Sequence, residues 1–185
     1  MRAAALLCLF LLPSSRGVCL DEFNTLCIDA APPDANGSIL FNATCRPSPG
    51  SRALTWCGFG FSAAPTLTMF PASVTVIQWL GGAATNITLE DRDAAVGYAL
   101  PPCFAAQLSA LRGGARDASG ALRASWTRAA IAPPAARAAG YVDLVGTRSA
   151  IAASSAGGAP AAAACSDYMV PHTLVQPGVP FSFAA

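Results

Sequence analysis

Two side chains could do chemistry together if the fold brings them close. His172 is the chain's one imidazole, and Met69 sits in the stretch "TLTMFPASVTVIQW", just ahead of a β-branched run. Taken singly, each is ordinary: a methionine before a strand fills gaps, and a lone histidine is usually a polar surface or capped residue. Taken as a pair, a thioether and an imidazole can fill both axial positions of a haem iron, leaving no open site for oxygen chemistry and raising the potential. Met169 lies too near His172 along the chain to be the opposite-face ligand. The sequence has no Cys-x-x-Cys-His motif. A haem would therefore be a non-covalent b-type haem, held by axial bonds and by apolar surface near Phe61, Phe70 or Tyr168.

Other chemistries find less support. The glycines of "GFGFSA", Gly58 to Ala63, match a dinucleotide-binding pattern but lack the strand–turn–helix context, so they read as sites of bulging or close strand packing. No Gly-x-Ser-x-Gly elbow accompanies His172, which leaves a serine hydrolase without its nucleophile turn. Copper monooxygenase chemistry needs several imidazoles, and this chain has one. Asp91 and Asp93 form a short acidic cluster that could bind calcium, but the plainer expectation is two solvated carboxylates in a turn. The residues point to an electron carrier or binding module rather than to an enzyme.

The address comes from the N-terminus and the cysteines. Residues 1–17, "MRAAALLCLFLLPSSRG", have the charged start, short apolar run and small-residue end of a secretory signal peptide, too short to span a membrane. Beyond it lie Cys19, Cys27, Cys45, Cys57, Cys103 and Cys165, an even set with no close Cys-x-x-Cys spacing for zinc, which predicts disulfides with the pairing left open. Asn36, Asn42 and Asn86 each begin an N-glycosylation triplet. A net charge of +1, with no basic cluster, argues against nucleic acid as a partner. All eleven basic residues are arginine and alanine is abundant, so helix propensity is a weak guide here. The long charge-free span from Ala53 to Leu89 is broken by Pro65, Pro71, Gly81 and Gly82, which predicts strands and turns instead of a bilayer helix.

Strands must therefore position the candidate ligands. The segment 18–51 is rich in Pro, Asp, Asn and Cys and reads as a disulfide-tied leader packed on the main fold. After it come "RALTWCGFGFS", "SVTVIQWL" ending at Gly81-Gly82, and "TNITLED". In "GALRASWTRA" the period of two predicts Leu122, Ala124 and Trp126 facing a core with Arg123, Ser125 and Thr127 facing out, after a hairpin turn at "RDASG". "YVDLVGT", "SAIAAS" and "VPFSF" are expected to be further short strands, while "CFAAQLSAL" has the propensity of a helix. This pattern predicts an all-β sandwich or barrel.

The ordered stretches "LTWCGFGFS", Met69 in "TMFPASVTVIQW", "ITLEDRDA", "LRASWTRA", "DLVGTRSAIAAS" and "PHTLVQPGVPFSF" together resemble a DOMON domain over residues 52–185. The resemblance implies an immunoglobulin-like β-sandwich that works outside the cytoplasm and binds haem or sugar. In the haem-binding branch, similar to the cytochrome domain of cellobiose dehydrogenase, the residues matching Met69 and His172 ligate the iron of a haem b. This chain has Thr68 where the family usually has glycine and Pro171 where it often has an aromatic residue. The implied partner is a redox protein or a small extracellular reductant. The alternatives are a carbohydrate-binding or accessory module, with Trp56, Trp79 or Trp126 as sugar platforms, or the N-terminal part of a larger monooxygenase or membrane cytochrome.

Overall fold

The computed structural model describes residues 17–63, 73–93, 103–157, 159–160 and 163–165, and the backbone of 174–180. The strands are β1 (Val18–Cys19), β2 (Leu26–Ala30), β3 (Ser38–Cys45), β4 (Leu54–Ser62), β5 (Ser73–Trp79) and β6 (Ile87–Asp93). They are followed by β7 (Ala110–Arg116), β8 (Leu122–Ala129), β9 (Ser149–Ala156) and β10 (Leu174–Pro180). They form two antiparallel five-stranded sheets, ordered β1-β2-β3-β8-β7 and β10-β9-β4-β5-β6. The expected all-β sandwich is the observed fold. The segment expected as a leader supplies three strands of the first sheet.

The core lies between the sheets because each strand turns alternate residues inward. Phe41 stacks on Trp126 with ring centroids 5.1 Å apart and tilts against Phe61 at 5.7 Å. Ile28, Ile39 and Leu122 from the first sheet meet Phe59, Ile77, Ala150 and Ala152 from the second, all buried. In β8, Leu122, Ala124 and Trp126 are buried and Arg123 is exposed, with Ser125 and Thr127 half-buried on its side, as the period of two predicts. The six cysteines form Cys19–Cys27, Cys45–Cys57 and Cys103–Cys165. The first ties β1 to β2; the second joins β3 to β4 and so rivets one sheet to the other through the core.

Turn chemistry fixes the hairpins. Asp117 Oδ1 accepts the N–H groups of Ser119 and Ala121 and the Ser119 hydroxyl, and Gly120 takes the left-handed conformation at φ +81°. This is the turn signalled by "RDASG". The Ser119 hydroxyl, with help from those N–H groups and from Arg123, holds the Asp117 carboxyl below its ordinary value. At the other end of the first sheet, Asp21 is buried and accepts the Thr25 N–H (2.8 Å), the Thr25 hydroxyl (2.6 Å) and the Leu26 N–H (2.6 Å). Burial pushes its pKa up, but those hydrogen bonds outweigh burial and leave it below 3.8.

Three expectations fail for identifiable reasons. "CFAAQLSAL" is not helical: Cys103 bridges Arg92, and Gln107 is tied back to β6 through the Asp91 backbone, so the segment bends along β6 before it enters β7 at Ala110. "YVDLVGT" is not a strand: Val145 lies in a single 3-10 turn, Leu144–Gly146, pinned by Leu144 N–H donating to Ala130 O. A five-residue helix, α1 (Pro134–Ala138), precedes it. Asp91 is not a solvated turn residue either; it is wholly buried on the inward face of β6.

Candidate functional site

Sheets in a sandwich normally show one buried and one wet face, and the first sheet does. The second does not. Every residue of β4 is buried, from Leu54 to Ser62. With Cys57, Phe59 and Phe61 facing the core, alternation sets Trp56, Gly58 and Gly60 on the outward face. Val74 and Val76 of β5 and Ile151 and Ala153 of β9 lie beside them and are buried too. A Cβ built on Gly60 would come within 2.6 Å of Ile151 Cγ1 and 3.1 Å of Val74 Cγ2. The Ile151 and Val74 side chains thus lean over Gly60, and a larger residue there would have to push them aside. The glycines of "GFGFSA" serve close packing, as expected of them.

At the β6 edge of this outward face sits a buried ion pair. Arg92 Nη2 lies 2.8 Å from Glu90 Oε2, with side chains 2% and 0% exposed, and Arg92 Nε donates to the same oxygen. Glu90 Oε1 accepts the backbone N–H of Cys165 at 2.8 Å. Cys165 is bonded to Cys103, which bridges Arg92 across the backbone. The connection from β9 to β10 is therefore stapled to β6, on the far side of the sheet from β10. Glu90, Cys103 and Cys165 converge as three potential metal ligands, but both sulfurs are spent in the disulfide, leaving one carboxylate already paired with arginine. The arrangement is a staple.

A second polar cluster closes the inner end of the sandwich. Asp91 accepts from Thr75 Oγ1 (2.9 Å), Ser109 Oγ (2.6 Å), Ser109 N (2.7 Å) and Leu108 N (2.9 Å), with the Tyr141 hydroxyl 3.3 Å away. Tyr141 stacks on Phe104 at 3.7 Å, and its pKa is pushed up by burial and by Asp91. Arg128, buried beside this cluster, donates from Nη2 to Ser73 Oγ and Val142 O, while Nε and Nη1 have no hydrogen-bond partner among the described residues. Burial pulls its pKa down, against the pull of Asp91. Both Asp91 oxygens are occupied by donors, so the group orders the 103–109 and 141–143 segments and has no lone pair aimed at solvent chemistry.

Met69, His172, Phe70, Tyr168 and Met169 lie outside the described residues, as does the expected signal peptide apart from Gly17. Phe61 is described and is a core residue facing the first sheet. Of the three tryptophans, Trp126 is in the core and Trp56 is buried, while Trp79 has Arg116 4.0 Å above its ring. Glu90, Arg92 and Arg128 are buried charged residues that were not among the expected site residues. Their signal was present: Glu90 and Arg92 are two apart in "ITLEDRD", and Arg128 continues the inward set Leu122, Ala124, Trp126.

No family model matches the chain, and no curated protein matches it in sequence. Among solved structures, the cytochrome domain of Myriococcum thermophilum cellobiose dehydrogenase is similar, with a TM-score of 0.56 and 12% identity over 91% of this chain and 82% of that one. The likeness is one of fold. Among the described residues, no helix is long and apolar enough to cross a membrane.

Proposed function

We propose that the chain is an exported electron-transfer module that binds a b-type haem over the outward face of its second sheet, with Met69 and His172 as axial ligands. The observation that carries the reading is the double burial of that sheet, whose outward centre is apolar around Gly58, Gly60, Val74, Val76 and Ile151. Such a surface suits a planar macrocycle. The similarity of fold to a cytochrome domain supports it, and three disulfides fit an oxidising compartment.

Strand register constrains how the two ligands could meet. Ser73 opens β5, and Leu174, which opens β10, lies level with Ile77 through the pairs Leu174–Ser154, Ser154–Cys57 and Cys57–Ile77. The two strands therefore start from opposite ends of the sheet. Three interstrand steps of about 4.8 Å and four residues of about 3.4 Å separate Ser73 from Leu174, a diagonal of roughly 20 Å. Met69 is four residues before Ser73 and His172 two before Leu174. At about 3.4 Å per residue those six residues together reach roughly 20 Å, before side chains are added. A meeting over β4 and β9 is within reach.

A haem held by Met69 and His172 would supply one-electron transfer. The chain's own part is to keep the ring dry on an apolar sheet and to hold its two ligand-bearing connections. The test is reconstitution with hemin: a low-spin spectrum that sharpens on reduction is expected. His172→Ala should lose the haem. Met69→Leu, which keeps the volume and deletes the sulfur, should leave the fold intact and lower the potential or open a coordination site. Unchanged spectra in both variants would defeat the assignment.

A further inference from the structure

The outward face of the first sheet carries a feature that haem binding does not use. A shallow, open groove of about 440 Å³ runs across β3, β8 and β7. Its floor includes Gly113, Gly114 and Ala115, and a Cβ at Gly113 would meet nothing within 4 Å. Asn42, Thr44 and Ser125 line its other side. Asn42 is exposed in mid-strand, and its side chain makes no hydrogen bond to the described protein. Asn86 differs, because its Nδ2 donates to Gly81 O at 2.9 Å. Asn36 differs in another way: it sits in the turn between β2 and β3, beside Asp34 and away from the groove.

We infer that Asn42 carries an N-linked glycan whose first sugars lie in this groove and cover β7. Asn42-Ala43-Thr44 is a glycosylation triplet, and in a strand Asn42 and Thr44 point to the same side, here into the groove. The donor is a lipid diphosphate-linked oligosaccharide of the export compartment. Asn42 Nδ2 loses a proton and bonds to C1 of the first sugar, the sugar–phosphate bond breaks, and the lipid diphosphate leaves. The floor suits the product: bare backbone and methyl groups accept the C–H face of a sugar ring, while Ser125 and Arg123 at the rim can bond its hydroxyls. The purpose follows from topology. β7 is an edge of the first sheet with Ala110, Leu111, Arg112 and Gly113 exposed, and the backbone groups along an edge strand are a template for strand addition from another chain. A glycan rooted two strands away, about 10 Å at the usual interstrand spacing, blocks that approach.

The inference rests on the export reading, and the test separates the two. The full chain is secreted from a eukaryotic host, and site occupancy is read by peptide mass spectrometry. Hydrogen exchange of the glycoprotein is then compared with that of the enzymatically deglycosylated protein and of Asn42→Gln. Occupancy at Asn42 with roughly threefold or greater slowing of exchange at Arg112 to Ala115, lost in both controls, is expected. Sugar on Asn36 or Asn86 with Asn42 bare overturns this inference alone. No sugar at any of the three overturns it together with export through a glycosylating compartment. Occupancy at Asn42 without any change in exchange overturns the placement in the groove.

Discussion

The two sheets have the same number of strands and the same antiparallel pairing, yet their outward faces are opposites. On the first, β8 alternates buried and open residues, and its neighbour β7 is largely exposed. On the second, β4 is buried on both sides and β5 nearly so. An outward face that stays wet needs only polar side chains, whereas one that is buried needs small residues where neighbours lean in and partners for every charge. The second sheet meets both demands, with Gly58 and Gly60 at its centre and Glu90 with Arg92 at its edge. The contrast is the reason the proposed haem site is assigned to the second sheet.

The sharpest way to break the comparison is to remove a charge from each face. Glu90→Ala takes a carboxylate from a buried pair and from the Cys165 N–H, and should lower stability by about 3 kcal/mol in denaturant unfolding. Arg123→Ala removes a partner of Asp117 at 3.6 Å where both side chains are open to water, and should change it by less than about 1 kcal/mol. Similar losses at both sites would mean the second face is not built differently.

A methyl-scale test follows. Gly60→Val forces a Cβ against Ile151 and should lose about 2 kcal/mol, as overpacked positions do. Gly113→Val enters open space, and in unglycosylated protein should stay within about 0.5 kcal/mol. Thermal melts of the two variants side by side give the answer.

The smallest expected effect lies off both faces and concerns pH. Asp21 has a folded pKa below 3.8, so its contribution to stability is present above that value and is lost as pH falls through the depressed one. Acid titration of stability should therefore be shallower below pH 4 in Asp21→Asn than in the parent. Equal slopes would show that the Thr25 and Leu26 hydrogen bonds do not favour the charged form.

How much of this was legible depended on whether a signal was local. The alternation in "LRASWTRA" came through intact because a half-buried strand writes its period into the sequence, and "RDASG" announced its turn for the same reason. Strand β7, "ALRGGAR", carries no such period; it exists because that turn folds it back onto β8. Tyr141 to Thr147 had the composition of a strand, but Tyr141 packs on Phe104 and Leu144 is held by Ala130, contacts made from far along the chain. The disulfide pairing was hidden likewise, since Cys45 and Cys57 meet only once both sheets have formed. The burial of Glu90, Arg92 and Arg128 was written as position but masked by charge.

The most direct test of the central claim is hemin titration of the purified chain, followed by absorption in the oxidised and reduced states and repeated with Gly60→Trp and Gly113→Trp. The account predicts one haem per chain with a low-spin spectrum, lost when the bulky side chain is placed on the second sheet and kept when it is placed on the first. Haem binding that survives at Gly60 and fails at Gly113, or a parent chain that leaves hemin free, would contradict it.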